Sequence, residues 1–158
     1  MPVNETVKEA WLINDKVNNV LLEHLTPNMI EAHIPGSGYS VAQHLAHMAE
    51  AKKFWGAMLN EEQAGTLPDL FKEERSAETN LAQIKDVFAQ TSKVTLELAK
   101  STSDPSDFPY ASLDSYLIHL IVHDSYHRGQ IVLALKTAGH PLPDEGAVWG
   151  PWRTEQGE

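Results

Sequence analysis

In the segment "HLIVHDSYHRGQI", residues 119–131, histidine recurs at every fourth position: His119, His123 and His127. At roughly 100° per residue, a helix sets these imidazoles in one narrow stripe. Neighbours one turn apart are close enough to share an ion. Tyr116, Leu120, Gln130 and Ala134 fall in the same stripe, so it faces the interior. A metal site needs a further donor from elsewhere, and "YSVAQHLAHMAEA" offers His44 and His47. His47 shares a stripe with Ala51, Phe54 and Met58 and is expected to point inward. His44 lies nearer the margin, where it can staple against Tyr39. Two ligands from one helix and one from a facing helix are what bundle cores use to hold metals. The competing reading is that these are satisfied core histidines. Burying several without a shared partner, however, costs about 1–3 kcal/mol each.

Other polar positions keep two readings each. Glu50, one turn after His47, is a fourth ligand, a general base or a part-exposed helix carboxylate. Asn14 and Asn18 line a pocket or bond between helices. Arg128 and Lys136 are placed on the outer side with Ile118, Ile121 and Val132, an apolar group that is either a dimer face or a helix contact. His24, His33 and His140 lie at segment ends or in loops and are expected to be solvated. No HExxH, P-loop or dinucleotide fingerprint occurs.

Four segments carry these residues, all with helical spacing and none with sustained alternation. The first runs from about Asn4 to Leu25, with Val7, Trp11, Leu21, Leu22 and Leu25 on one face interrupted by Asn14 and Asn18. Pro27 ends it. The second starts at Ser40, which forms a capping box with Gln43, and reaches about Leu59. The charged connection that follows is expected to be helical around Leu70 and Phe71. The third spans about Ala77 to Lys100 with Ser76 as its cap. The fourth starts after Ser112 and ends near Ala138, with Gly139 as the left-handed terminator. Trp149 and Trp152, in an irregular tail, are expected to cover apolar surface. The pattern is an all-α four-helix bundle, one domain over residues 1–158. The order of helices around it is not readable from this pattern.

The 158 residues are 42% hydrophobic and 22% charged, ordinary for a globular chain, and carry a net charge of −10. That sign, with no basic cluster to override it, argues against nucleic acid and anionic membrane as partners. No run approaches the length of a membrane span, and the N-terminal residues read as no secretory signal, so the expected compartment is the cytoplasm. Cysteine is absent, so any thiol chemistry needs a thiol from outside the protein.

"YSVAQHLAHMAEA", followed some 75 residues later by "HDSYHRGQI" and "LKTAGHPLP", resembles the DinB/YfiT-like superfamily of metal-dependent four-helix-bundle proteins. The resemblance covers nearly the whole chain. It implies a bundle, commonly dimeric, that binds a divalent ion such as nickel, zinc or iron through three histidines. Carried onto this chain, it selects His47, His123 and His127 and leaves His44 and His119 outside the ligand set, a choice that spacing alone does not make. Tyr39 stands where many relatives have tryptophan. Some relatives are transferases or isomerases that use a low-molecular-weight thiol such as bacillithiol or mycothiol, which here implies a small-molecule substrate. The same site would serve a metal-dependent hydrolase, or a non-catalytic bundle that binds a metal or small ligand. Specificity is expected from residues 60–75, 101–111 and the Trp149/Trp152 tail.

Overall fold

The computed structural model describes residues 2–36, 38–101 and 108–153, the Trp149 side chain excepted. They form four long helices, a short fifth and two 3-10 turns. Helix α1, Glu5–His24, is capped by the Asn4 side chain, which accepts the Thr6 N–H. Helix α2, Val41–Ala57, starts at Ser40 with both halves of the expected capping box in place. Asn60 caps the short helix α3, Glu61–Gly65. The helical turn expected around Leu70 and Phe71 is thus found earlier in the connection, and Leu70 is buried in the core.

Helix α4, Leu81–Ser101, begins four residues later than the sequence suggests. Ser76 is not its cap, because its hydroxyl donates to the Glu73 carbonyl, and Ala77 pairs with Phe71 in an isolated bridge. Asn80 caps the helix instead, accepting from the N–H groups of Ala82 and Gln83. Helix α5, Leu113–Thr137, starts at Ser112, and Gly139 follows its end at φ +80°, the left-handed conformation a glycine tolerates. In the tail, Leu142 and Val148 join the core, while Trp152 is 42% exposed and does not serve as a cover. The Trp149 side chain and residues 102–107 of the 101–111 loop lie outside the described residues.

α1 and α2 each pack on α4 and α5, which gives the order α1–α4–α2–α5 around the bundle. Paired residues set the directions. Trp11 reaches Ser92 and Glu23 reaches Lys85, so α1 and α4 are antiparallel. His44 meets His127 and Trp55 meets His119, so α2 and α5 are antiparallel too. Asn4 bonds Asp114 and Asn14 bonds Asp124, so α1 and α5 run the same way. α2 and α4 must then be parallel. The connection between them, residues 58–80, therefore travels back along the whole of α2, about 25 Å at 1.5 Å per residue. That return carries the Glu73–Arg75 turn to the start of α2. Where α2 approaches α4, a Cβ on Gly56 would stand 3.0 Å from Leu98 Cδ1, so the leucine would have to give way.

The core has two apolar clusters. One gathers Leu21, Leu22, Leu45, Met48, Phe88, Ile131 and Leu135, the other Trp11, Leu113, Tyr116, Leu117 and Leu120. Between them lies a buried polar layer of Asn14, Asn18, Lys52, Asp124 and Arg128. Arg128, expected on the outer side, is only 6% exposed, since α1 offers it the side-chain oxygens of Asn14 and Asn18, each 2.7 Å away. The apolar group expected beside it divides: Ile118 is exposed, while Ile121 and Val132 pack on the core.

Candidate metal centre

Because α2 and α5 run antiparallel, residues ascending one meet residues descending the other. His47 of α2 comes between His123 and His127 of α5, with ring centroids 5.1 Å and 4.8 Å away. Each of the three contributes one nitrogen to a group whose ligand atoms all lie within 4.8 Å of one another. The Nε2 atoms of His47 and His123 are 3.3 Å apart. Two imidazole nitrogens at about 2.0–2.1 Å from a tetrahedral ion stand about 3.3–3.4 Å from each other, so this pair already has the spacing of co-ligands.

The remaining ring nitrogens decide which atoms are free. His47 Nδ1 faces Glu50 Oε2 at 3.3 Å, and His127 Nδ1 faces His44 Nδ1 at 2.9 Å. Those contacts occupy Nδ1 of both rings and leave Nε2 as the nitrogen free for an ion. His123 Nδ1 is buried without a hydrogen-bond partner. Burial pushes His123 down to about 4 and His127 down to about 3. Neighbouring histidines oppose protonation of both further, although Asp124 acts the other way. At neutral pH both rings are therefore neutral, the form that offers a lone pair to a metal. The group could hold a metal ion, and these three residues fit one.

His44 is deeper than the helical wheel suggests, at 8% exposed, while His47 is half-buried. The centre of the α2 face runs through Leu45, Met48 and Lys52, so His47 lies on its margin. Phe54 and Met58 share that margin and are exposed, contrary to expectation. His44 does keep its edge-on packing with Tyr39, at 5.6 Å between centroids. His119 stays outside the ligand group and bonds the Tyr110 hydroxyl through Nδ1 at 2.7 Å. Val122 and Tyr126, adjacent to His123 and His127 along α5, are 61% and 63% exposed, the Tyr126 ring lies edge-on to His127 at 5.1 Å, and Phe54 of α2 is exposed as well.

Glu50 is neither free nor in the ligand group. Its Oε1 accepts from Arg75 Nη1 at 2.9 Å, and Arg75 Nη2 donates to the Tyr39 hydroxyl at 2.7 Å. Glu74 and Arg75 both have positive φ, 55° and 62°. For residues with a Cβ this conformation costs roughly 1–2 kcal/mol each. Arg75 carries no signal of its own in the sequence, and Tyr39 stands out there only as the staple partner of His44; the returning connection brings the two together.

On the other side of α5, Asp124 is fully buried. Burial alone would raise its pKa, but the Lys52 ammonium, with bonds from Lys52, Asn18 and Asn14, outweighs this and holds it below the usual carboxylate range. Asn14 and Asn18 thus bond between helices rather than line a pocket. Lys52 and Asp124 escaped the sequence reading, and the visible trace of them was the pair of asparagines on an otherwise apolar face.

The DinB family model matches residues 1–158. The chain belongs to the DinB family. Comparison with curated proteins and with solved structures finds no match. Among the described residues, no helix is long and apolar enough to cross a membrane. Membership of the DinB family and the three-histidine group together are compatible with a metal-binding protein.

Proposed function

We propose that the protein is a divalent-metal-dependent enzyme whose ion is held by His47, His123 and His127. The observation that carries this reading is the convergence of three imidazoles, two of them kept neutral by burial, on one point between α2 and α5. Three protein ligands leave positions open on the ion, as catalytic rather than structural sites do. A divalent ion there lowers the pKa of a bound water or thiol and polarises a substrate oxygen.

The chain itself supplies the rest. His44 and Glu50 hold the Nδ1 edges of His127 and His47, fixing the rings. The exposed Phe54, Val122 and Tyr126 provide apolar surface for a small-molecule substrate. His119, held by Tyr110 one turn from His123, would be the residue to exchange a proton with a substrate bound at the ion. The absence of cysteine means that a thiol nucleophile comes from solution, and we favour a transferase using an external low-molecular-weight thiol. Hydrolysis at the same site is the alternative chemistry. The reading includes a cytoplasmic homodimer, on the resemblance to dimeric relatives.

Metal content measured by mass spectrometry on untagged protein tests it. Near-stoichiometric metal is expected in the wild type, lost in the His47→Ala/His123→Ala double variant. Loaded protein is then screened with thiols and electrophiles. Metal-free wild type, equal in fold to the variant, would remove the basis of the proposal.

A further inference from the structure

Arg75 lies in a connection, far along the chain from every histidine of the centre, yet four contacts converge on it. Its guanidinium bonds Glu50 and Tyr39 and sits 3.8 Å over the Phe71 ring, and its carbonyl accepts from Gln43 Nε2 at 3.0 Å. Tyr39, Gln43 and Glu50 all belong to the first turns of α2 or its entry, around His47. Two successive residues with positive φ shape the turn that presents it. An incidental surface ion pair has one partner and needs no unusual backbone.

Glu50 is the link. One carboxylate oxygen is held by Arg75 and the other faces His47 Nδ1. A carboxylate that accepts the Nδ1 proton of a ligating histidine fixes its tautomer and orientation and makes it a better donor. We propose that Arg75 and Glu50 are positioning residues of the metal centre: Arg75 anchors the Glu50 carboxylate, and Glu50 aims His47 Nε2 at the ion. His47 needs this support because it lies on the margin of α2, half-exposed. His127 has the buried His44 instead. The connection over residues 66–80 thereby belongs to the site, although it supplies no ligand. The inference rests on the metal reading above.

The test uses the full chain as wild type, Arg75→Ala, Arg75→Lys, Glu50→Gln and the Arg75→Ala/Glu50→Gln double variant. Zinc affinity is measured by competition with a chromogenic chelator. Cobalt is then substituted and its visible absorption recorded, and far-UV circular dichroism follows the fold. Arg75→Ala and Glu50→Gln are each expected to weaken zinc by about 10–100-fold with unchanged helicity. The double variant should be no worse than the weaker single, because both act through one contact. Arg75→Lys should recover part of the loss, keeping the charge but losing the planar fork. The cobalt band should shift in the variants that bind it. Single variants that match wild type in affinity and spectrum, or a double variant whose losses multiply, would overturn the proposal. A wild type that binds neither zinc nor cobalt would instead overturn the metal reading, and the positioning role with it.

Discussion

On α5, His123 and His127 face α2, whereas Asp124 and Arg128, one position further on and about 100° round the helix, face α1. The two pairs have the same spacing, and both are largely withdrawn from water. They differ in whether their hydrogen-bonding capacity is used up inside the chain. Asp124 accepts from Lys52, Asn14 and Asn18, and Arg128 Nη1 donates to both asparagine oxygens, so the two charged side chains are joined through one set of shared partners. Across α5, Nε2 of His47 and Nε2 of His123 face each other 3.3 Å apart, and with the ring proton on Nδ1 both present lone pairs. A closed network holds helices together. An open one keeps lone pairs aimed at a common point, the condition for taking up a cation.

The contrast is most easily broken at Asp124. Asp124→Ala leaves Lys52 and Arg128 as buried cations without a counter-charge, and a loss of about 3–5 kcal/mol in urea unfolding is expected. A loss below 1 kcal/mol would mean that water reaches the layer. Next comes Asn14→Leu, which removes one donor to Asp124 and one acceptor for Arg128. It should cost about 1–3 kcal/mol, with zinc affinity unchanged. At the histidines the order reverses: His123→Ala should abolish metal retention while shifting metal-free stability by less than about 1 kcal/mol, since the lost ring includes an unpartnered nitrogen.

Acid separates the two regions without mutation. His123 and His127 titrate lower in the folded chain than the usual 6.5. Below pH 6.5 the unfolded chain binds protons that the folded chain does not, so metal-free stability should fall from there until about pH 4 to 3, where the folded rings protonate too. Asp124 is depressed when folded, so its contribution is present above about pH 3.9 and is lost only below that value. Unfolding free energies between pH 7 and 4 should therefore slope in the wild type and flatten in His123→Ala/His127→Ala. A slope that persists unchanged would assign the effect to other groups.

Local signals were legible in the sequence where they were complete in themselves. The Ser40 capping box, the Ser112 start and the Gly139 stop were read from a few adjacent residues and stand in the structure. The histidine stripe of α5 is equally local. Ser76 misled because its hydroxyl turns back to Glu73, leaving Asn80 to cap α4. Helical spacing sets Arg128 on the outer side with Ile118, Ile121 and Val132, and only the partner helix reveals the two asparagine acceptors that permit its burial. The depths of His44 and His47 were exchanged because a wheel places residues relative to one another, not relative to a neighbour that has yet to be docked. Helix order, and with it the route that brings Arg75 to Glu50, depends on pairings between distant segments.

The polar layer has one more consequence. Two apolar helices can slide by a turn, 5.4 Å, and find nearly equivalent packing. With Asn14 and Asn18 of α1 and Lys52 of α2 all engaged at Asp124, such a slip would strand buried charges, so the layer acts as a key cut for one setting. His123 and His127 ride on the keyed helix, and the height at which they meet His47 is thereby indexed from the opposite side of the bundle.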